Sequence, residues 1–310
     1  MKQNNCLAHG TGSAVAHHGE ILQGVFRDDK GRLTRALVTL QCPERKSYAT
    51  FYPSARQADI TCTPGMWKAR RAAAFSMVEF STDRSPVAGG HVEVCSDIPC
   101  GIGMGSSTAD VTAAIRAIAD FHSVTPTAEE IGRIAVRAES ASDSVMIDDR
   151  IVLFSHREGI VLEAFGRRLP AMIVVGCVAD PDTGSIDTLA LPPAAYTEAD
   201  IDTFRSLRSE LRAAVAAGDV ARLARVATSS ALINQRFLPK PAFDFLLDLC
   251  TRTGGYGIQV AHSGTVAGVI FDSRRDDVMG SVDRCVTSMD KAGLSLTEVT
   301  GCCRVAATGG

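Results

Sequence analysis

No stretch of the sequence stays apolar long enough to cross a bilayer, so no membrane-spanning helix is expected. Positive charge is not in excess either. Lys and Arg number 32 against 35 Asp and Glu, the net charge is -3, and the largest cationic clusters are short pairs such as Arg70-Arg71 and Arg274-Arg275; nucleic acid is not an expected partner. The 10 cysteines include no Cys-x-x-Cys pair, and Cys302 adjoins Cys303, which argues against a thiolate zinc site. Scattered through a long chain with no signal peptide ahead of them, they read as buried thiols in a reducing compartment, the cytoplasm. Internal repeats and low-complexity tracts are also missing.

What is present is enough apolar material for a large core: 45% of 310 residues, a length that suits one large domain or two. The most informative stretch runs from Ile98 to Asp110. Gly101, Gly103 and Gly105 alternate, Ser106 and Ser107 follow, and from Thr108 the apolar residues Val111, Ala114, Ile115, Ile118 and Phe121 recur at helical spacing. A glycine loop feeding a helix N-terminus, with its unpaired N–H groups and positive dipole end, is a phosphate cradle. The Walker loop needs a lysine where Gly105 stands, and the dinucleotide fingerprint needs a third glycine where Ser106 stands; both are excluded.

The remaining pattern, Pro-x-x-x-Gly-x-Gly-Ser-Ser-x-Ala from Pro99 to Ala109, resembles the ATP-binding motif of the GHMP kinases, the family of galactokinase, homoserine kinase and mevalonate kinase. Gly19-Glu20-Ile21-Leu22-Gln23-Gly24 is similar to the family's first motif, with His18 where a proline is usual. Ala261-His262-Ser263-Gly264, a small turn between two apolar runs, is similar to the third, which in the family packs against the nucleotide loop. These runs, with Ser142-Asp143-Ser144, resemble the L-threonine kinase branch associated with coenzyme B12 assembly. The segment Glu139 to Ser144 is one residue longer than in that branch and lacks its proline.

Several elements can be placed from local signals. Strands are expected at Ala36 to Leu40, Ser47 to Tyr52, His91 to Cys95, Ile151 to Phe154, Ala171 to Val178, Leu294 to Thr300 and Cys302 to Ala306, and on both sides of Ser263-Gly264. Helices are expected at Trp67 to Phe80, after the capping box Thr127-x-x-Glu130, and at Thr197 to Ala217, Asp219 to Ile233, Pro241 to Thr253 and Asp276 to Ala292. Lys68, Arg70 and Arg71 could touch a phosphate or form a solvated helix face. Glu139 and Asp143 share a face if their helix persists, or are solvated acids at its end. His262 could hydrogen-bond a substrate carboxylate or a phosphate, or cap a strand end.

The resemblance implies an α+β, two-domain GHMP kinase fold: a ribosomal protein S5 domain 2-like N-terminal domain over residues 1–170 and a ferredoxin-like C-terminal domain over 171–310. It implies ATP held by Pro99, Gly101, Gly103, Met104, Gly105, Ser106, Ser107 and Thr108, and Mg2+ held by Ser107 and Glu139. Asp143 is the expected catalytic base or orienting group, with Ser107 beside it. Glu20, His18, Asp143, His262 and Ser263 are the expected substrate residues, Glu20 matching a substrate ammonium. The expected activity is transfer of a phosphoryl group from ATP to the side-chain hydroxyl of L-threonine or a similar hydroxy amino acid. Another small hydroxylated metabolite, or a non-catalytic nucleotide sensor, is the alternative, and a homodimer is left open.

Overall fold

The computed structural model describes residues 8–28, 30–81, 89–183 and 194–301. Two long strands, β1 (Gly10–Arg27) and β2 (Leu33–Ser54), pair antiparallel from Gly10 opposite Phe51 to Arg27 opposite Leu33. The separate strands expected at 36–40 and 47–52 are thus one element. Its pairing skips from Lys46 to Cys42, which leaves Pro43 in a bulge where its missing N–H costs no ladder bond.

Beyond β2 lie β3 (Ile60–Cys62) and, after helix α1 (Trp67–Phe80), β4 (Gly89–Ser96); β4 pairs with β2, and β3 runs parallel to β4 at the sheet edge. Helix α2 (Ser106–Phe121) lies across β1 and β2. Close approach is possible because both surfaces are small: Ala109, Ala113, Ala114 and Ala117 are fully buried, and a Cβ on Gly12 would come within 2.3 Å of the Ala113 carbonyl. Helix α3 (Ala128–Glu139) opens with the expected box, in which Thr127 and Glu130 each bond the other's backbone. It stops at Glu139, because Ser140 takes a left-handed conformation at φ 70°. A single 3-10 turn follows at Ser144–Met146, then the hairpin β5 (Ile151–Ser155) and β6 (Ile160–Gly166).

The second half of the chain contributes β7 (Met172–Val178), α4 (Glu198–Ala217), α5 (Val220–Asn234), α6 (Phe243–Thr253), β8 (Gly257–Val260), β9 (Val266–Asp272), α7 (Val278–Lys291) and β10 (Leu296–Gly301). Helix α6 begins at Phe243, two residues after the expected Pro241, and the strand expected at Cys302 to Ala306 lies outside the described residues. Strands β3 and β6, short or partly exposed, carry no alternation that sequence reading detects.

The main sheet runs β3-β4-β2-β1-β8-β9-β7-β10, all antiparallel except at β3. Its seam is a single residue: Glu20 of β1 pairs with Thr39 of β2 and with Val260 of β8. Three apolar cores accompany it. One packs α1, α2 and α3 on β1, β2 and β4, one packs α4 and α5 on the C-terminal part of β1 and the N-terminal part of β2, and one packs α6 and α7 on β7, β8 and β9. Helices on an open sheet satisfy the burial each amphipathic face requires, and they leave the N-terminus of α2 beside the seam. No described helix is long and apolar enough to cross a membrane.

Candidate active site

Three segments far apart in sequence meet at the glycine loop. Gly101, Gly103 and Gly105 all adopt positive φ, at 81°, 89° and 72°, a conformation in which other residues are strained. Ile102 O accepts hydrogen bonds from Thr265 N at 2.9 Å and Val266 N at 3.2 Å, and a Cβ on Gly103 would lie 2.4 Å from Gly264 Cα. On the other side Met104 O accepts from His17 N at 3.1 Å, and a Cβ on Gly105 would strike the His17 ring. The turn at Ser263-Gly264 does therefore pack on the loop. Lys240, 24 positions before Gly264, fixes that turn by donating from Nζ to Gly264 O at 2.7 Å.

These elements enclose a cavity of about 420 Å3 lined by Gly101, Gly103, Gly105, Ser106, Ser107 and Thr108 at one end and by His17, Asp143, His156, His262 and Ser263 at the other. No side chain caps α2, so its first-turn N–H groups face this space without an intramolecular partner. Pro99 and Met104 do not line it. Pro99 is exposed in the turn before the loop, and the Met104 side chain is buried in the first core.

Ser107 Oγ donates to Glu139 Oε2 at 2.8 Å, Thr108 Oγ1 donates to Glu139 Oε1 at 2.9 Å, and Lys68 Nζ stands 3.9 Å from Oε2. Burial pushes the Glu139 carboxyl up to about 7 against the pull of these donors and of Lys68. Lys68 and Trp67, the first residues of α1, line the cavity beside Ser106 and Ser107.

The two acids do not share a helix face, because α3 has already ended. Glu139 turns to the α2 N-terminus, and Asp143 turns to β1. His17 Nε2 donates to Asp143 Oδ2 at 2.9 Å, while Gly19 N donates to His17 Nδ1 at 3.2 Å. Burial opposes charge on both side chains, yet their mutual attraction prevails: the Asp143 carboxyl is held below the usual range and the His17 imidazole above it.

Glu20 lies behind this pair. It is 2% exposed, and neither carboxylate oxygen has a partner at full hydrogen-bond geometry among the described residues, although the His262 backbone N–H and Lys240 lie close enough to favour its charge. Burial raises its carboxyl to about 8, partly countered by His17. His17, Glu20 and Asp143 each offer a ligand atom within 4.8 Å of the others, a spacing that suits an added cation or ammonium group.

His18 is turned away from the cavity. Successive strand residues face opposite sides, so when His17 faces the loop, His18 packs toward Gly176 and is hydrogen-bonded to Thr297 Oγ1 at 2.7 Å and to the Gln259 side chain at 2.6 Å. Burial lowers its imidazole to about 4. His262 does face the cavity. Its Nδ1 donates to Gln23 Oε1 at 3.2 Å, and its ring meets His156 edge-on with centroids 5.0 Å apart. Sequence reading misses His156, which follows β5 with no motif around it, and Lys240, an isolated lysine before Pro241; spacing carries no signal for either.

Models of two domain types match the chain: GHMP kinases N terminal domain over residues 69–153 and GHMP kinases C terminal over 211–285, together more than half of it. An L-threonine kinase of Salmonella typhimurium is 32% identical over 191 residues, 61% of this chain and 62% of the relative; that of Citrobacter freundii is 30% identical over 199 residues, 61% and 64%. The chain thus spans less than two thirds of the length of these curated relatives. In three dimensions it is similar to homoserine kinase from Cytophaga hutchinsonii, with a TM-score of 0.67 at 13% identity over 97% of both chains, a likeness of fold.

Proposed function

Because the chain belongs to the GHMP kinase family, we propose that it transfers the γ-phosphoryl group of ATP to the side-chain hydroxyl of L-threonine or a similar hydroxy amino acid. The observation that carries this reading is that one cavity holds both an uncapped helix N-terminus behind a glycine loop and, deeper in, an ionised carboxylate fixed by a histidine.

In this reading the amides of Gly103 to Ser107 hold the phosphates, and Lys68 adds positive charge at the mouth. Ser107 and Glu139 fit Mg2+: they are a hydroxyl and a buried carboxylate whose ionised form lacks a full counter-charge, the oxygen donor set a hard cation prefers. When bound, the ion neutralises charge on the phosphate oxygens. Asp143, with Oδ2 bound to His17, turns its other oxygen to the acceptor hydroxyl and orients it or receives its proton. Glu20 takes the acceptor's ammonium group, and His262 and Ser263 line the pocket around it.

The same proposal divides the chain at residues 1–170 and 171–310, and places it in a reducing cytoplasm, consistent with seven free thiols among the described residues. A different small hydroxylated metabolite is the second reading, favoured by the extra residue and missing proline between Glu139 and Ser144.

Trp67 is the single tryptophan, lines the cavity and is 56% exposed, so nucleotide binding can be followed by its fluorescence. A non-hydrolysable ATP analogue should change that emission saturably, and ADP should form with magnesium, ATP and a panel of hydroxy amino acids. Nucleotide binding without ADP formation on any of them would overturn the kinase reading.

A further inference from the structure

We propose that His156, with His262 beside it, recognises the carboxylate of the acceptor and is the residue that separates amino acids from the corresponding amino alcohols. This rests on the kinase reading above and adds to it the group that determines acceptor class.

His156 is 3% exposed, lines the cavity that holds Asp143, and has no hydrogen-bond partner on either ring nitrogen among the described residues. A neutral imidazole carries one donor and one acceptor, and a buried polar group left unpaired costs about 1–3 kcal/mol. The neighbouring ring does not relieve it: His262 meets it edge-on, and His262 Nδ1 is already engaged with Gln23. The backbone of His156 is meanwhile tied to the acid's own loop, since Ser142 N donates to His156 O at 2.8 Å. The ring is thus held in register with Asp143 while its polar atoms await a partner.

The chemistry of that partner follows from the surrounding charge. Burial is the main reason both rings are held neutral, His156 at about 3 and His262 at about 4, and Arg35 and Arg157 press on both in the same direction. Neither arginine is ion-paired among the described residues, and Arg157 Nε is itself buried without an acceptor. Asp143, the carboxylate that most favours charge on these rings, is already bound to His17. The region therefore has donors and positive charge in surplus, whereas Glu20 nearby has two buried acceptor oxygens with no side-chain donor at hydrogen-bond distance among the described residues. An α-amino acid carries the complement of both, a carboxylate and an ammonium group on one carbon.

The test compares an acceptor with its analogue lacking the carboxylate. We expect the wild-type protein to favour L-threonine over L-threoninol by about 100-fold or more in kcat/KM, because a site built for a polar group rejects a ligand that leaves its donors unpaired. His156→Ala should cut that preference at least tenfold by raising KM for the amino acid with little change in kcat, while kcat/KM for the amino alcohol stays within threefold. His156→Gln, which keeps a donor, should recover part of the preference, and it provides the same ratio if the alanine variant fails to fold. An unchanged ratio, or equal losses on both acceptors as removal of a structural ring or of a bound water would produce, overturns the inference while leaving the kinase reading in place. Absence of phosphorylation of any hydroxy amino acid by the wild-type protein overturns the kinase reading, and this inference with it.

Discussion

His17 and Asp143, 126 positions apart in the chain, are joined side chain to side chain at 2.9 Å, and the Gly19 amide on the far nitrogen of the ring directs the bridging proton to Nε2. The carboxylate is an acceptor that burial alone would have discharged, kept ionised by the histidine. Local sequence cannot announce such a pair, since neither residue belongs to the other's motif.

Replacing the acid tests this relationship. Asp143→Asn should lower kcat by about 10²- to 10⁴-fold with the KM for ATP within twofold, as expected for a group acting on the acceptor hydroxyl. His17→Gln should lose about tenfold, since the carboxylate remains but loses its orientation. Steady-state kinetics on both substrates measures the split, and a wild-type rate in Asp143→Asn would show that the acceptor proton leaves by another route.

The two hydroxyl bonds to Glu139 place a second test at the nucleotide end. Glu139→Gln and Ser107→Ala should each reduce turnover more than tenfold and raise the magnesium concentration needed for half-maximal rate, with circular dichroism unchanged. Thr108→Val removes only the other hydroxyl bond to the same carboxylate and should have the smaller effect on magnesium dependence.

Loop packing makes a stability prediction. Gly103→Ala combines a φ of 89° with a contact 2.4 Å from Gly264 Cα, so it should lower Tm and abolish the nucleotide-dependent change in Trp67 emission. Gly31→Ala has a similar φ of 75° and open space around the added methyl. It should cost only the conformational term, about 1–2 kcal/mol, with nucleotide binding intact. Equal effects of the two substitutions would mean that loop packing contributes nothing.

The raised carboxyl of Glu20 sets a pH dependence for the ligand-free protein. Its folded value of about 8 lies above the ordinary 4.5, so the folded state binds the proton more tightly and stability is lost as pH rises toward and through 8. Below about pH 6.5 the depressed imidazoles of His18, His156 and His262 act with the opposite sign, while Glu139, raised to about 7, and His17, raised above its ordinary value, act with the same sign, so the Glu20 contribution is read as the difference between the wild type and Glu20→Gln over pH 7 to 8.5. In that window the unfolding free energy should fall with pH in the wild type by up to about 1.4 kcal/mol per pH unit for one group, read as a falling Tm. The Glu20→Gln protein should show a flatter curve by differential scanning calorimetry, and identical slopes would contradict the assignment.

The glycine loop and its helix, the capping box at Thr127 and Glu130, and helix α1 from Trp67 to Phe80 were determined by the sequence itself. Each depends on φ preferences, caps and apolar spacing among residues a turn or two apart, interactions that neighbours in the chain set by themselves. Three motifs spaced over most of the chain also pointed to the family. Only the tertiary structure decided which histidine of the His17-His18 pair faces the cavity, that Glu139 and Asp143 part company at Ser140, that two expected strands are one bulged strand, and that His156 and Lys240 belong to the site. The physical reason is common to all four. Strand phase, helix termination by a left-handed residue and contacts across more than a hundred positions are settled by the joint packing of helices on a sheet whose seam is Glu20, and no local propensity encodes where that packing brings distant side chains together.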